Sequence, residues 1–96
     1  MVIPREVTVE AASRWDAVEL LRRLQALRTA RTYMIQGAPD RWIVYAQPTV
    51  RNGDGSEVPG VLDDLLASVG RWLVDRGLDE CEVRLDGESE FIGRPV

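Results

Sequence analysis

Apolar and polar residues alternate in two stretches of this chain and recur at helical spacing in two others. Residues 5–11, REVTVEA, set Val7, Val9 and Ala11 against Glu6, Thr8 and Glu10. That is the period of a strand with one dry and one wet face. Residues 80–85 repeat it, with Cys81, Val83 and Leu85 opposed to Glu80, Glu82 and Arg84. Between them, Ala17, Leu20, Leu21, Leu24 and Leu27 form one helical stripe. Ser13 stands as its N-cap, with Asp16 three residues on as a shortened capping box, and the helix is expected to run to Leu27 or Arg28. Glu19 precedes Arg23 by four residues, the favourable order for an ion pair. The second stripe, in 61–76, is Leu62, Leu65, Leu66, Val69 and Leu73, with Trp72 on its edge. Pro59 is expected in its first turn and Gly77 at a left-handed C-cap.

Two further stretches, TYMIQ at 32–36 and WIVYAQ at 42–47, are rich in β-branched and aromatic residues, with a polar turn over 37–41. They read as a hairpin. Residues 49–57, TVRNGDGSE, are expected to form the one long loop. Asp86-Gly87 is a two-residue hairpin signal, which leaves room for a short fifth strand over 88–92 before a frayed GRPV end.

The resulting order is βαββαβ. Both helices carry one stripe and both helix-flanked strands one wet face, so an antiparallel sheet with both helices on one side is the economical solution. This order resembles the ferredoxin-like, split βαβ superfold, a two-layer α+β sandwich. The resemblance is one of topology over most of the chain, and that superfold hosts too many activities to imply one. An α/β arrangement with more parallel pairing is the structural runner-up. Ninety-six residues make one domain, 1–96.

Composition narrows the function classes. All 12 basic residues are arginine and histidine is absent, so no lysine can form a Schiff base and no histidine can act as general base or metal ligand. Residues 1–51 carry net +3 and residues 52–96 net −7, for −4 overall. That sign argues against nucleic acid as a partner. The start of the sequence lacks a signal-peptide pattern and no apolar run is long enough for a membrane span, so a cytoplasmic location without membrane contact is expected.

The chemical motifs are weak. Cys81, the one thiol, alternates in phase with Val83 and Leu85 and is flanked by Glu80 and Glu82, so it reads as core rather than nucleophile. NGDGSE resembles an EF-hand loop, but Val50 and Val61 occupy both anchor positions. Its glycines also fail as a phosphate cradle, because Asp54 and Glu57 would repel the anion. Asp63 and Asp64 are explained by a helix N-terminus. No catalytic residue, cofactor or metal is expected.

The reading that remains is a small non-enzymatic interaction or regulatory module, acting through the sheet face that the helices leave bare. With Val7, Val9, Tyr33, Ile35, Trp42 and Val44 turned inward, that face presents Met34, Ile43 and Tyr45 as an apolar patch. Glu6, Glu10 and Glu82 form an acidic rim, and Trp15 on the helix side is a second candidate anchor. A protein partner or a homodimer is expected. Alternatives are an acidic inhibitor of the immunity or antitoxin type, an ACT-type small-molecule sensor and, weakest, a small dimeric enzyme. An RNA-recognition role is disfavoured for want of a basic rim.

Overall fold

The computed structural model describes residues 6–27, 32–51, 53–54, 57–59 and 62–94. In chain order the elements are β1 (Val7–Ala11), α1 (Arg14–Gln25), β2 (Thr32–Ala38), β3 (Arg41–Ala46), β4 (Thr49–Arg51), β5 (Glu57–Pro59), α2 (Leu62–Arg76), β6 (Glu80–Leu85) and β7 (Glu88–Gly93). This is an α+β protein: two helices and a five-stranded sheet of order β2-β3-β1-β6-β7, with every neighbouring pair antiparallel. β4 and β5 form a separate two-stranded ribbon. The 49–57 stretch expected as loop therefore holds parts of two strands, and Pro59 closes β5 opposite Thr49 instead of opening the helix. Proline is tolerated there because a two-stranded ribbon consists only of edges.

Each helix is bounded as its sequence dictates. The Ser13 backbone is extended (φ −134°, ψ 154°), and its Oγ accepts from the Asp16 N–H at 3.1 Å. The Asp16 carboxylate does not return to the cap; its Oδ1 accepts from Arg76 Nε at 2.6 Å, tying α1 to α2. α1 ends at Gln25, shorter than expected, with Ala26 as C-cap. α2 closes in a Schellman motif: Gly77 has φ +68°, its N–H donates to the Val74 carbonyl at 3.2 Å, and the Leu78 N–H donates to the Leu73 carbonyl at 2.8 Å.

The core lies between the helices and one sheet face. Val7, Val9, Ala11, Val44, Ala46, Cys81 and Val83 line it from the sheet; Ala17, Leu20, Leu24, Leu65, Val69, Trp72 and Leu73 line it from the helices. Trp72 is fully buried and not on the stripe's edge, and its indole N–H donates to the Asp16 carbonyl at 2.9 Å. Leu62 and Leu66 are only partly covered, because the buried arc of α2 is centred on Leu65, Val69 and Trp72 and includes the small Ser68 and Gly70. Of the GRPV end expected to fray, Gly93 closes β7 and Arg94 is held: its N–H donates to the Asp79 carbonyl at 2.9 Å and its Nε to the Leu78 carbonyl at 3.2 Å, while Pro95 and Val96 lie outside the described residues.

The register of β2 differs from the sequence expectation. The β2–β3 turn is Pro39-Asp40, and Ala38 lies opposite Arg41. Continued without interruption, that pairing would set Ile35 against Val44 and Met34 against Tyr45. A shift between Gln36 and Ala38 places one extra residue, Gly37, in β2. Beyond it Met34 lies opposite Val44, Ile35 opposite Ile43 and Tyr33 opposite Tyr45. A bulge of one residue thus turns the strand over. Met34 points to the helix side and packs on the core border, while Tyr33 and Ile35 emerge on the opposite face.

Candidate functional site

The face turned away from the helices is assembled by register. Tyr33, Tyr45, Thr8, Arg84 and Ser89 form one row across all five strands. Ile35, Ile43 and Glu10 form the row beside it, and Glu82 with Phe91 continues the face onto β6 and β7. The β2–β3 side is apolar. Tyr33 and Tyr45 stack with ring centroids 4.7 Å apart and planes 5° from parallel. Tyr33 is 39% exposed and Ile35 47%. Stacking of this kind adds roughly 0.5–1.5 kcal/mol beyond area burial.

Of the residues expected to make this surface, Ile43 and Tyr45 are on it. Met34 is not: the Gly37 bulge places it on the helix side, and Tyr33 and Ile35 take its place. Phe91, 66% exposed, is an apolar residue the sequence reading missed. Its signal was present, because a two-residue Asp86-Gly87 turn pairs Leu85 with Glu88, and counting on residue by residue brings Phe91 opposite Glu82, on the face that Leu85 turns away from. Trp15 is 77% exposed in the first turn of α1, on the other side of the molecule from this face.

Of the acidic side chains on the face, those of Glu10 and Glu82 are held in ion pairs. Glu10 Oε1 accepts from Arg41 through Nε at 2.6 Å and also through Nη2. Glu82 Oε1 accepts from Ser89 Oγ at 2.8 Å and from Arg84 Nε at 3.1 Å. The Ser89 hydroxyl first, and then Arg84, hold the Glu82 carboxyl below the usual carboxylate range. Glu6 is joined to the β6–β7 turn: its N–H donates to Asp86 Oδ1 at 3.0 Å, and the Asp86 N–H donates to the Glu6 carbonyl at 3.0 Å. A shallow groove of about 400 Å³ runs over β1 between these ion pairs and Ile43 and Tyr45. Its walls are hydrogen-bonded charged side chains and apolar side chains.

Cys81 faces the helices, is 7% exposed, and has its thiol pushed up to about 11, first by burial and then by the Glu80 charge. Among the described residues no group of three or more histidine, cysteine, aspartate or glutamate side chains is placed to hold a metal ion. The NGDGSE stretch lies partly outside the described residues; its Gly53 and Asp54 form an exposed turn. Among the described residues no helix is long and apolar enough to cross a membrane. No protein-family model, curated protein or solved structure matches this chain.

Proposed function

We propose that this protein is a non-enzymatic interaction module that binds a protein partner, or a second copy of itself, through its open sheet face. The observation that carries this reading is the side-by-side placement of Tyr33, Ile35, Ile43 and Tyr45 on the face opposite the helices. Contiguous apolar area left wet costs about 25 cal/mol per Å², and a soluble domain keeps such a patch chiefly where something covers it. The sheet order and the two helices on one side support placing the domain in the ferredoxin-like arrangement, with β7 as an added edge strand and β4–β5 as an inserted ribbon. The high thiol pKa of Cys81 and the absence of lysine and histidine support a binding role over a catalytic one. Because Glu10 and Glu82 are already paired with arginines, apolar contact rather than net charge dominates this reading.

The double change Ile43→Asp with Tyr45→Ser is the test. Circular dichroism should show an intact fold, and sedimentation or partner capture should show association lost. A variant that folds and still associates like the parent would move the working surface to Trp15 and the helix side.

A further inference from the structure

The open face changes character along its strands as well as across them. On the three inner strands the row Tyr45, Thr8, Arg84 runs beside the row Ile43, Glu10, Glu82. Each strand therefore carries two unlike groups two residues apart. On β3 they are aromatic and aliphatic, on β1 hydroxyl and carboxylate, on β6 guanidinium and carboxylate. Exposed apolar side chains also stand at both ends of the face, Ile35 on β2 and Phe91 on β7.

We infer that this face is the interface of a two-fold dimer of the chain, its two sheets packed face to face about an axis that crosses the strands between those two rows. Such an axis lays each row on the other row of the second copy, so the surface is complementary to itself. Tyr45 meets Ile43, the Thr8 hydroxyl meets the Glu10 carboxylate, and Arg84 meets Glu82, each twice. Because the axis crosses all five strands, Ile35 and Phe91 are covered in the same step. The pattern of charge selects this axis. Moved onto the first row, it opposes Arg84 to itself and Glu10 to Glu6. Moved onto the second, it opposes Glu10 and Glu82 each to itself. Turned to run along β1, it lays Ile43 on Glu82 and again Glu10 on itself. Like charges brought face to face work against association, and only the axis between the rows avoids them on the inner strands. Packed sheets cross at about 30°; with the crossing over the central strand β1, residues on β3 and β6 are displaced by about 2–3 Å, within reach of an arginine. The inference rests on the reading of the open face as an association surface and goes further by naming its occupant and its register.

A charge exchange between two variants tests the register. The parent chain should sediment at twice its 10.8 kDa at high concentration. Arg84→Glu alone sets carboxylate against carboxylate across the interface, and Glu82→Arg alone sets guanidinium against guanidinium. Each should weaken dimerisation about tenfold or more. An equimolar mixture of the two variants brings opposite charges together again, but only between unlike chains. The mixture should form a heterodimer about tenfold or more tighter than either variant's own dimer. Contacts within each chain stay broken in both variants, so the rescue reports contact between copies. A second measurement leaves these charges intact. In a Cys81→Ala background, a short bismaleimide should join two copies of Ser89→Cys, on the open face, and not two copies of Asp63→Cys, on α2. A parent that stays at 10.8 kDa, a mixture no tighter than its components, or Asp63→Cys joined as fast as Ser89→Cys overturns the dimer. A parent that is monomeric alone, yet captures a protein partner that the Ile43→Asp, Tyr45→Ser variant loses, overturns the dimer but sustains the open-face reading.

Discussion

At the scale of single residues, Trp72 joins two jobs that are usually separate. Its ring fills the core under both helices, and its N–H satisfies the Asp16 carbonyl in the first turn of α1. Trp72→Phe keeps most of the packing but removes this hydrogen bond between the helices, and a loss of about 1 kcal/mol is expected in urea unfolding. Leu73→Ala, at a fully buried position, should cost more, about 2–5 kcal/mol, because the cavity cannot fully collapse. Cys81 gives a pH signature. Its thiol ionises near 9 when unfolded and near 11 in the fold, so over that window the folded chain holds the proton that the unfolded chain releases. Stability should therefore fall as pH rises from about 9 toward about 11. Comparing denaturation midpoints with Cys81→Ala across that range isolates the effect from tyrosine titration. Iodoacetamide should react with the native thiol much more slowly than with the denatured one.

At the scale of elements, Gly37 decides which residues the outer hairpin shows. An added Cβ there would meet Ile43 Cδ1 at 3.5 Å, an ordinary contact, so Gly37→Ala should leave the bulge in place. Deleting Gly37 is a different perturbation. It removes the extra residue, returns Met34 to the open face and drives Tyr33 toward the helices. The Tyr33–Tyr45 stack should be lost, visible as loss of the near-ultraviolet tyrosine signal, with a drop in melting temperature. The same bulge marks where the sequence stopped being legible. β1 and β6 alternate cleanly between apolar and charged residues, so their faces could be read directly. In TYMIQ the two alternating sets are Thr32, Met34 and Gln36 against Tyr33 and Ile35, and hydrophobicity favours burying the second set. The observed choice is the reverse, because an edge strand is only partly covered on its helix side and the flexible Met34 can fill that border. The helix caps at Ser13 and Gly77 and the Asp86-Gly87 turn were legible because each depends on a short-range backbone demand. The pairing of Glu10 with Arg41 was not, because it joins residues 31 positions apart.

At the scale of the whole molecule, the two helices are tied by partners from both ends. Arg76 bonds Asp16, and Arg23 bonds Asp75 at 2.6 Å while lying 3.6 Å from Glu19. These pairs are partly exposed, so each should contribute no more than roughly 1 kcal/mol, and added salt should weaken them. By position, both pairs with α2 join α1 to its last turn, within the layer that covers one sheet face. β1 has the corresponding place in the sheet: it is the central strand, with β3 on one side and β6 on the other, and Val7 lies opposite both Ala46 and Leu85. On the ribosome β1 emerges before any other strand in this order, yet its second neighbour follows only after both helices have been made. Through most of translation one flank of the sheet's central strand therefore has nothing beside it. A nascent chain halted before Glu80 can pair β1 with β3 but cannot close the core, so it should remain protease-sensitive until β6 emerges and then acquire resistance in a single step.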